Sequence, residues 1–256
     1  MSANILALTM QKGGVAKTTT TLSLGVNLAE RGHKVLLVDL DPQANLSQGL
    51  NIDIENLEYS IYEVLLNPDH GTDFATLHTS AGVDIIPSTL ALAGAELELA
   101  GKVGRELLLR KALKQAKEKY DYILLDPPPS LGLFTLNAMA AATSVVVPLQ
   151  VHAYAFKAMP KLEATIDLIK DLNPPLAIGG IVCTLSDKRT SLSQAVETQI
   201  RSRYGDLVFH TVIPFNTKLA EAPAMGEPIH TYAPQSAGAR AYAALAEEVE
   251  ARYAHK

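Results

Sequence analysis

Two lysines and two adjacent glycines lie close together in the segment "TMQKGGVAKTTTT", residues 9–21. Glycines let a backbone approach a phosphate group closely and lysine supplies positive charge, so this composition indicates a phosphate-binding loop. The usual pattern is G-x-x-x-x-G-K-[ST], but Gln11 and Ala16 stand at its two glycine positions. An additional lysine, Lys12, precedes the expected Lys17 by five residues, and its role has to be explained.

The chemistry of the loop suggests a role for several of its residues. Lys17, at the expected start of a helix, is placed to contact the β- and γ-phosphates of a nucleotide, and the Thr18 hydroxyl is a natural Mg²⁺ ligand. The methyl group of Ala16 need not clash where the backbone φ is negative. A tight Gly-Gly turn without a ligand is the alternative, which the strand, loop and helix context disfavours. The predicted nucleotide-binding residues of the loop are Lys12, Gly13, Gly14, Val15, Ala16, Lys17, Thr18 and Thr19.

Carboxylates follow two further segments of strand character. Asp39 and Asp41 lie near the end of "VLLVDLDPQAN", and Asp126 ends the strand in "YDYILLDPPPS". Because such sheets bind ligands outside the carboxyl ends of their strands, we expect these side chains beside the phosphate loop. Asp126 is predicted to hold Mg²⁺, directly or through water; taken alone, it would be a turn aspartate before Pro127. Asp39 is expected either to support the magnesium site without binding the ion itself or to have a purely structural role.

The elements that position these residues are short apolar runs that alternate with helical segments. "KTTTTLSLGVNLAERG" has helical periodicity and ends at Gly32, and "RELLLRKALKQAKEKY" has the same periodicity, while "YSIYEVLLN" is predicted to be a short helix in a long connection. Strands separated by such helices pair in parallel through right-handed crossovers. This predicts an α/β, doubly wound three-layer sandwich with a mostly parallel sheet of seven or eight strands. The predicted strands are "NILALTM", "KVLLVDLD", "VDIIP", "YILLD", "SVVVPLQ", "AIGGIVCTL" and "VFHTVIP".

Length and composition favour one domain. With 256 residues, of which 48% are hydrophobic, we expect residues 1–256 to form a single α/β domain. A net charge of -5 disfavours a protein that covers nucleic acid with its whole surface, so any DNA contact must be local. Cys183 is the only cysteine, which indicates a buried strand residue in a reducing compartment. With no signal-peptide pattern and no apolar run of membrane-spanning length, we expect neither export nor membrane insertion.

Six segments, taken together, resemble the ParA/Soj family, a branch of the phosphate-loop ATPases with a deviant Walker A motif that also contains MinD. The resemblance covers essentially the whole chain. It implies ATP or ADP and Mg²⁺ as ligands, ATP hydrolysis as the reaction, and a homodimer in the ATP-bound state. The segments, in order, are "KGGVAKTTT", "VLLVDLDPQAN", "YDYILLDPPPSLG", "TLNAMAAA", "VVVPLQ" and "VIPFNTKLAEAPAMGEPI".

The resemblance assigns roles to single residues. Lys12 matches the signature lysine of the family, which crosses the dimer interface to the nucleotide of the partner, so that ATP favours assembly. Asp41 matches the aspartate that positions or activates the attacking water, and Asp126 matches the aspartate of the magnesium site. Pro214 and Asn216 match a stretch that contacts the base.

The resemblance also implies DNA binding. ATP-bound dimers of this family bind DNA without sequence preference, through lysines and arginines that contact phosphates. Two residues depart from the family: Ala16, where its loops usually have glycine, and Phe215, where many relatives have arginine. For each candidate cation, a solvated surface side chain is the alternative. The predicted DNA-contacting residues are Lys188, Arg189, Arg201, Arg203 and Lys218.

The predicted function is therefore an ATPase that dimerises with ATP, binds DNA in that state and partitions a chromosome, a plasmid or another cargo. The resemblance implies a ParB-like adaptor that stimulates hydrolysis, and a cytoplasmic, nucleoid-associated location. A MinD-like protein on a membrane or protein scaffold is the alternative, but "GARAYAALAEEVEARYAHK" contains the acidic stretch "EEVE" and mostly alanine on its apolar side. This disfavours membrane binding and indicates a helix packed on the domain. An enzyme similar to dethiobiotin synthetase is a further alternative, which Lys12 disfavours.

Overall fold

Buried strands form the centre of the fold, in a computed structural model that describes residues 2–152 and 155–254. Their side chains alternate between two hydrophobic cores: Ile5 and Ala7 lie in one, and Leu6 and Leu8 lie in the other. A strand covered on both faces needs apolar residues at every position, which explains the continuous apolar runs of the sequence. The strands are β1 (Asn4–Leu8), β2 (Val35–Asp39), β3 (Leu77–His78), β4 (Asp84–Ile86), β5 (Tyr122–Asp126), β6 (Ser144–Gln150), β7 (Ile178–Ser186) and β8 (Val208–Pro214).

The described strands form one eight-stranded sheet in the order β3-β4-β2-β5-β1-β6-β7-β8. All paired strands in it are parallel except β3 and β4. This confirms the predicted doubly wound, mostly parallel sheet. The strand that sequence patterning did not identify is β3, an edge strand of two residues, which is too short for hydrophobic periodicity to detect.

Helices cover both faces of the sheet. Within the described residues they are α1 (Lys17–Glu30), α2 (Asn45–Gln48), α3 (Ile61–Leu66), α4 (Leu92–Leu99), α5 (Leu108–Ala112), α6 (Leu133–Ala141), α7 (Ala155–Ile169), α8 (Ser191–Tyr204), α9 (Lys218–Ala224), α10 (Ile229–Tyr232) and α11 (Ala237–Tyr253). The φ of Gly32 is 93°, which confirms the glycine stop predicted after α1. Ser60 and Glu63 form a capping box at the start of α3, the short helix predicted in the long connection.

The continuous helix predicted over residues 105–120 is wrong. Short 3₁₀ turns, Arg105–Leu107 and Ala116–Glu118, flank the five-residue α5. A physical reason for the first break is Asn137 on α6, whose Oδ1 accepts from the Leu109 N–H at 3.0 Å and whose Nδ2 donates to the Arg105 carbonyl at 2.8 Å. Those two backbone groups would pair with each other in an α-helix, so a tertiary contact replaces an intrahelical bond.

The C-terminal helix is attached to the helix that follows the phosphate loop, as expected for a helix packed on the domain. Tyr242 of α11 and Thr20 of α1, both fully buried, share a hydroxyl–hydroxyl hydrogen bond of 3.0 Å. The Thr20 hydroxyl donates to the Ala16 carbonyl at 2.6 Å, so the tyrosine supplies the proton of the shared bond. The end of the loop is thereby connected to α11.

Two expectations from composition can be compared with these elements. Cys183 is buried in β7, which confirms the buried strand residue, and burial raises the pKa of its thiol to about 12. In the part of the chain that the structure describes, no helix is long and apolar enough to cross a membrane.

We expect Tyr242→Phe to destabilise the protein by about 1–2 kcal/mol, because Thr20 keeps its donor role but loses a buried hydrogen bond. Urea unfolding followed by circular dichroism measures this change. Tyr62→Phe is the matched control, since the Tyr62 hydroxyl donates to Glu98 at an exposed position and its loss should cost about 0.5 kcal/mol or less. Equal effects of the two substitutions would contradict the connection between α11 and the loop.

Candidate nucleotide site

The phosphate loop and the predicted carboxylates meet at one edge of the sheet. β5 lies between β1 and β2, so the loop after β1 is close to the carboxyl end of β5. In the register of β2 and β5, Asp39 lies opposite Asp126. The strand order therefore brings together side chains from three distant parts of the sequence.

Asp126 is the centre of the site. Its Oδ1 accepts from Lys17 Nζ at 2.7 Å and from the Thr21 hydroxyl at 3.2 Å, and its Oδ2 accepts from the Thr18 hydroxyl at 2.7 Å. Asp126 is completely buried and Lys17 is 7% exposed. A buried carboxylate needs this compensation, because an unpaired charge away from water is strongly unfavourable.

The Thr18 and Asp126 oxygens fit a magnesium ion. Both are hard oxygen donors, and their 2.7 Å separation is close to the roughly 3 Å between adjacent ligands of an octahedron with bonds of about 2.1 Å. Both residues were predicted as metal ligands from the sequence, and the fold brings them together. A nucleotide would supply phosphate oxygens, which Mg²⁺ commonly binds together with a few protein ligands.

Asp39 lies behind the site, fully buried. Its Oδ2 accepts from the backbone N–H and the hydroxyl of Ser47 at 3.0 and 2.7 Å, and its Oδ1 accepts from the Asp41 N–H at 3.1 Å. Burial, and then the negative charge of Asp126, raise the pKa of the Asp39 carboxyl to about 7. The Ser47 hydroxyl accepts in turn from the Ser88 N–H at 3.0 Å. Asp39 therefore fixes the turn that carries Asp41.

Asp41 faces a cavity of about 490 Å³ at this edge. Its Oδ1 accepts from the Gln43 N–H at 3.0 Å, and the side chain is partly exposed, so a carboxylate oxygen remains accessible to solvent. The position suits a group that acts on water beside a phosphate. The residues that line the cavity are Lys12, Gly13, Gly14, Ala16, Lys17, Thr18, Thr19, Leu22, Asp41, Asn45, Gln48, Pro129, Pro223 and Ala224.

Some of the residues that line the cavity were not predicted from the sequence. Leu22, Gln48 and Pro223 line it, although sequence analysis assigned them no role. Pro223 belongs to the segment "AEAPAMGEPI", which is the sequence signal that could have identified it. Pro214 and Asn216 are not among the lining residues.

Three residues predicted to bind nucleotide are not among the residues that line the cavity. Pro214 ends β8, and the Asn216 side chain accepts from the Lys218 N–H at 2.9 Å at the start of α9. Val15 is buried, and its carbonyl accepts from the Thr184 hydroxyl at 2.9 Å. Val15 therefore fixes the loop to β7, and the base contact of Pro214 and Asn216 stays a prediction.

The backbone of Ala16 does not have the negative φ considered in the sequence analysis. Its φ is 64° and its ψ is 33°, in the left-handed region. For a residue with a side chain this conformation costs about 1–2 kcal/mol, which explains why glycine is the usual residue at this position of the loop. The loop thus keeps the glycine-like path with an alanine in it.

Lys12 lies at the rim of the cavity and is half-buried. Its Nζ donates to Gln150 Oε1 at 2.7 Å. The two loop lysines therefore have different partners: Lys17 is paired with a carboxylate, and Lys12 is bonded to a neutral amide.

The cations predicted to contact DNA differ in how far they are engaged within the chain. Arg201 donates to Glu197 and to two carbonyls of β8, which makes it a structural residue of this surface. Arg189 pairs with Asp187, and Lys218 pairs with Glu221, both at exposed positions. Lys188 and Arg203 are exposed, and Arg203 lies over the Tyr204 ring.

These features define a phosphate-loop nucleotide-binding protein of the doubly wound α/β class. A family model described as an AAA domain matches residues 3–178. Over 248 residues the chain is 46% identical to the sporulation initiation inhibitor protein Soj of Bacillus subtilis, covering 96% of this chain and 98% of the relative. It is 48% identical over 249 residues to the chromosome-partitioning ATPase Soj of Thermus thermophilus, covering 96% and 95%. The chain belongs to the ParA/Soj family of ATPases.

A solved structure supports the same fold. Cobyrinic acid a,c-diamide synthase of Mycobacterium smegmatis, with bound ADP and magnesium, superimposes with a TM-score of 0.86 at 37% sequence identity, covering 99% of this chain and 96% of that one. The same enzyme has been solved with an ATP analogue and magnesium.

We expect Ala16→Gly to stabilise the protein by roughly 0.5–1 kcal/mol. Relief of the left-handed strain exceeds the extra entropy that glycine gives to the unfolded chain. Ala29→Gly is the control: Ala29 lies in α1, where glycine should destabilise by about 1 kcal/mol. Urea unfolding of both variants measures the difference, and a loss of stability in Ala16→Gly would contradict the left-handed conformation.

Proposed function

We propose that this protein is an ATP-dependent dimerising ATPase that binds DNA without sequence preference in its ATP state and partitions or positions a chromosome, a plasmid or another cargo. The observation that carries the proposal is the pair of loop lysines. Lys17 is buried in the site and Lys12 lies at the rim of the cavity with a neutral partner. A rim lysine is positioned to respond to the nucleotide of a second copy, whereas a buried lysine can only serve its own.

The proposed ligands are ATP or ADP with Mg²⁺. Backbone N–H groups of the loop, the start of α1 and Lys17 would hold the phosphates. Thr18 and Asp126 would hold the ion, which supplies charge that offsets the phosphates. Lys17 would exchange Asp126 for the β- and γ-phosphates, so its charge stays compensated throughout. The adenine lies, in this proposal, against Pro214 and Asn216.

Hydrolysis requires a group that orients water in line with the γ-phosphate. Asp41 is the carboxylate at the cavity with an oxygen accessible to solvent, and Asp39 fixes the turn on which it lies. Asp41 is therefore proposed as the water-positioning residue. Lys12 of one copy would contact the phosphates bound by the other, which makes ATP, with its additional phosphate, the ligand that favours the dimer.

The DNA and adaptor proposals are supported by the chromosome-partitioning relatives. Lys188, Arg189, Arg203 and Lys218 are exposed cations. The ion pairs of Arg189 and Lys218 are of the surface type that contributes little to stability, so phosphates can compete for these two side chains. Dimerisation would double this set and raise the avidity for DNA. The protein would then act in the cytoplasm on the nucleoid, with a ParB-like adaptor that stimulates hydrolysis.

A metabolic function is the second candidate, because the solved structure at 37% identity is that of a diamide synthase. Such an enzyme would hydrolyse ATP in response to a small acid, whereas the proposed function requires a response to DNA or an adaptor. Assays of ATP hydrolysis with a small acid, with DNA and with an adaptor distinguish the metabolic function from the proposed one. A MinD-like role on a membrane or protein scaffold would be indicated by an ATP-bound dimer without affinity for DNA at low salt.

The two lysines should be separable by mutation. Lys17→Ala should abolish nucleotide binding, because the phosphates lose their main side-chain charge, and Lys12→Ala should retain nucleotide binding but lose the ATP-dependent dimer. Titration calorimetry and light scattering measure the two properties, with the exposed Lys34→Ala as control. Near-normal ATP affinity of Lys17→Ala would contradict the loop assignment, and a Lys12→Ala dimer would contradict the role of the rim lysine.

The two aspartates should also behave differently. Asp41→Ala should slow hydrolysis by about 10²-fold or more while ATP binding and the DNA-bound dimer persist. Asp126→Ala should weaken nucleotide binding itself, because it removes one of the two proposed magnesium ligands. ATPase rates beside dimerisation assays distinguish them, with exposed Asp69→Ala as control. Normal hydrolysis by Asp41→Ala would require another water-positioning group.

A further inference from the structure

Lys12 is held within its own chain. Its Nζ donates to Gln150 Oε1 at 2.7 Å, across 138 positions of sequence. Both side chains are half-buried, so water competes only in part for this bond. Within residues 2–152 and 155–254, Lys12 forms no ion pair.

The sheet fixes the position of the amide that holds it. Gln150 is the last residue of β6 and lies opposite Thr184 of β7 in the parallel register. The Thr184 hydroxyl donates to the Val15 carbonyl at 2.9 Å. Two neighbouring strands therefore hold the loop segment from Lys12 to Val15 at both of its ends. Gln150 of β6 accepts from the Lys12 side chain, and Thr184 of β7 donates to the Val15 carbonyl.

Because the Gln150 amide is neutral, Lys12 can leave it for another partner. A glutamine oxygen offers a hydrogen bond without a net charge, whereas a carboxylate would add a full opposite charge to the same geometry. A triphosphate can therefore displace the amide from Lys12 more easily than it could displace a carboxylate. At this edge of the sheet the loop lysine that forms an ion pair is Lys17, with Asp126.

We propose that Gln150 is a positioning residue that holds Lys12 in its own protomer until the nucleotide of a second copy competes for the same Nζ. This inference rests on the proposed role of Lys12 at the dimer interface. Each dimer releases two such bonds, so Gln150 sets the threshold at which ATP-bound protomers associate.

Two substitutions of Gln150 test this in opposite directions. Gln150→Ala removes the hydrogen bond to Lys12 and should lower the dissociation constant of the ATP-bound dimer about fivefold for each bond released. Gln150→Glu keeps the size and shape of the side chain but replaces the hydrogen bond to Lys12 by an ion pair. It should raise the dissociation constant of the dimer about tenfold or more. Dimer dissociation constants come from sedimentation at saturating ATP in an Asp41→Ala background, which slows hydrolysis. The exposed Gln235→Glu is the matched control and should leave the constant unchanged.

Opposite shifts cannot arise from general misfolding, and ATP affinity of the dilute monomer should stay within about threefold of normal. A weaker dimer in Gln150→Ala would overturn the inference, since Gln150 would then support Lys12 in the dimer. A loss of monomer ATP affinity in Gln150→Glu as large as its loss of dimerisation would also overturn it. If Lys12→Ala dimerises normally, the proposed function of Lys12 fails and this inference with it. If Lys12→Ala loses the dimer but both Gln150 variants behave normally, only the role of Gln150 fails.

Discussion

The buried ion pair between Lys17 and Asp126 is the interaction on which the rest of the site depends. It joins the first residue of α1 to the last residue of β5 at 2.7 Å, where both side chains are almost inaccessible to water. Removing one partner of such a pair typically costs about 3–5 kcal/mol, because the other charge stays buried alone. In the proposed function, a bound phosphate would offer Lys17 a replacement for the carboxylate, and Mg²⁺ would offer Asp126 a replacement for the ammonium group. Nucleotide binding would then be an exchange of partners within the same buried space.

The loop around this pair is held from several sides, and this support lets it keep a strained residue. Thr184 holds the Val15 carbonyl, and Thr20 holds the Ala16 carbonyl and is itself bonded to Tyr242. With its neighbours fixed in this way, Ala16 remains in the left-handed region despite its methyl group. The same rigidity keeps the two loop lysines apart, with Lys12 bonded to Gln150 and Lys17 paired with Asp126.

Much of the fold and site follows from local sequence patterns. The loop after "NILALTM" leads to Lys17, and "YILLD" ends in Asp126. Both were expected at one edge of the sheet, because the carboxyl ends of neighbouring parallel strands lie together. The patterns could not reveal contacts that depend on the tertiary structure. Asn137 interrupts a segment that is helical by periodicity, and Gln150 is an ordinary strand-end residue until the fold brings it to Lys12. The sign of φ at Ala16 depends on the path of the whole loop, which its own sequence does not determine.

Nucleotide-controlled assembly gives Lys12 its proposed role, since a lysine at the rim of the cavity can contact a second nucleotide only if a second copy approaches it. The most direct measurement is the mass of the unmodified protein by light scattering, at one protein concentration, with Mg²⁺ and ATP, with Mg²⁺ and ADP, and without nucleotide. We expect the mass of two chains with ATP and of one chain in the other two conditions. The same mass in all three conditions would contradict assembly controlled by the nucleotide.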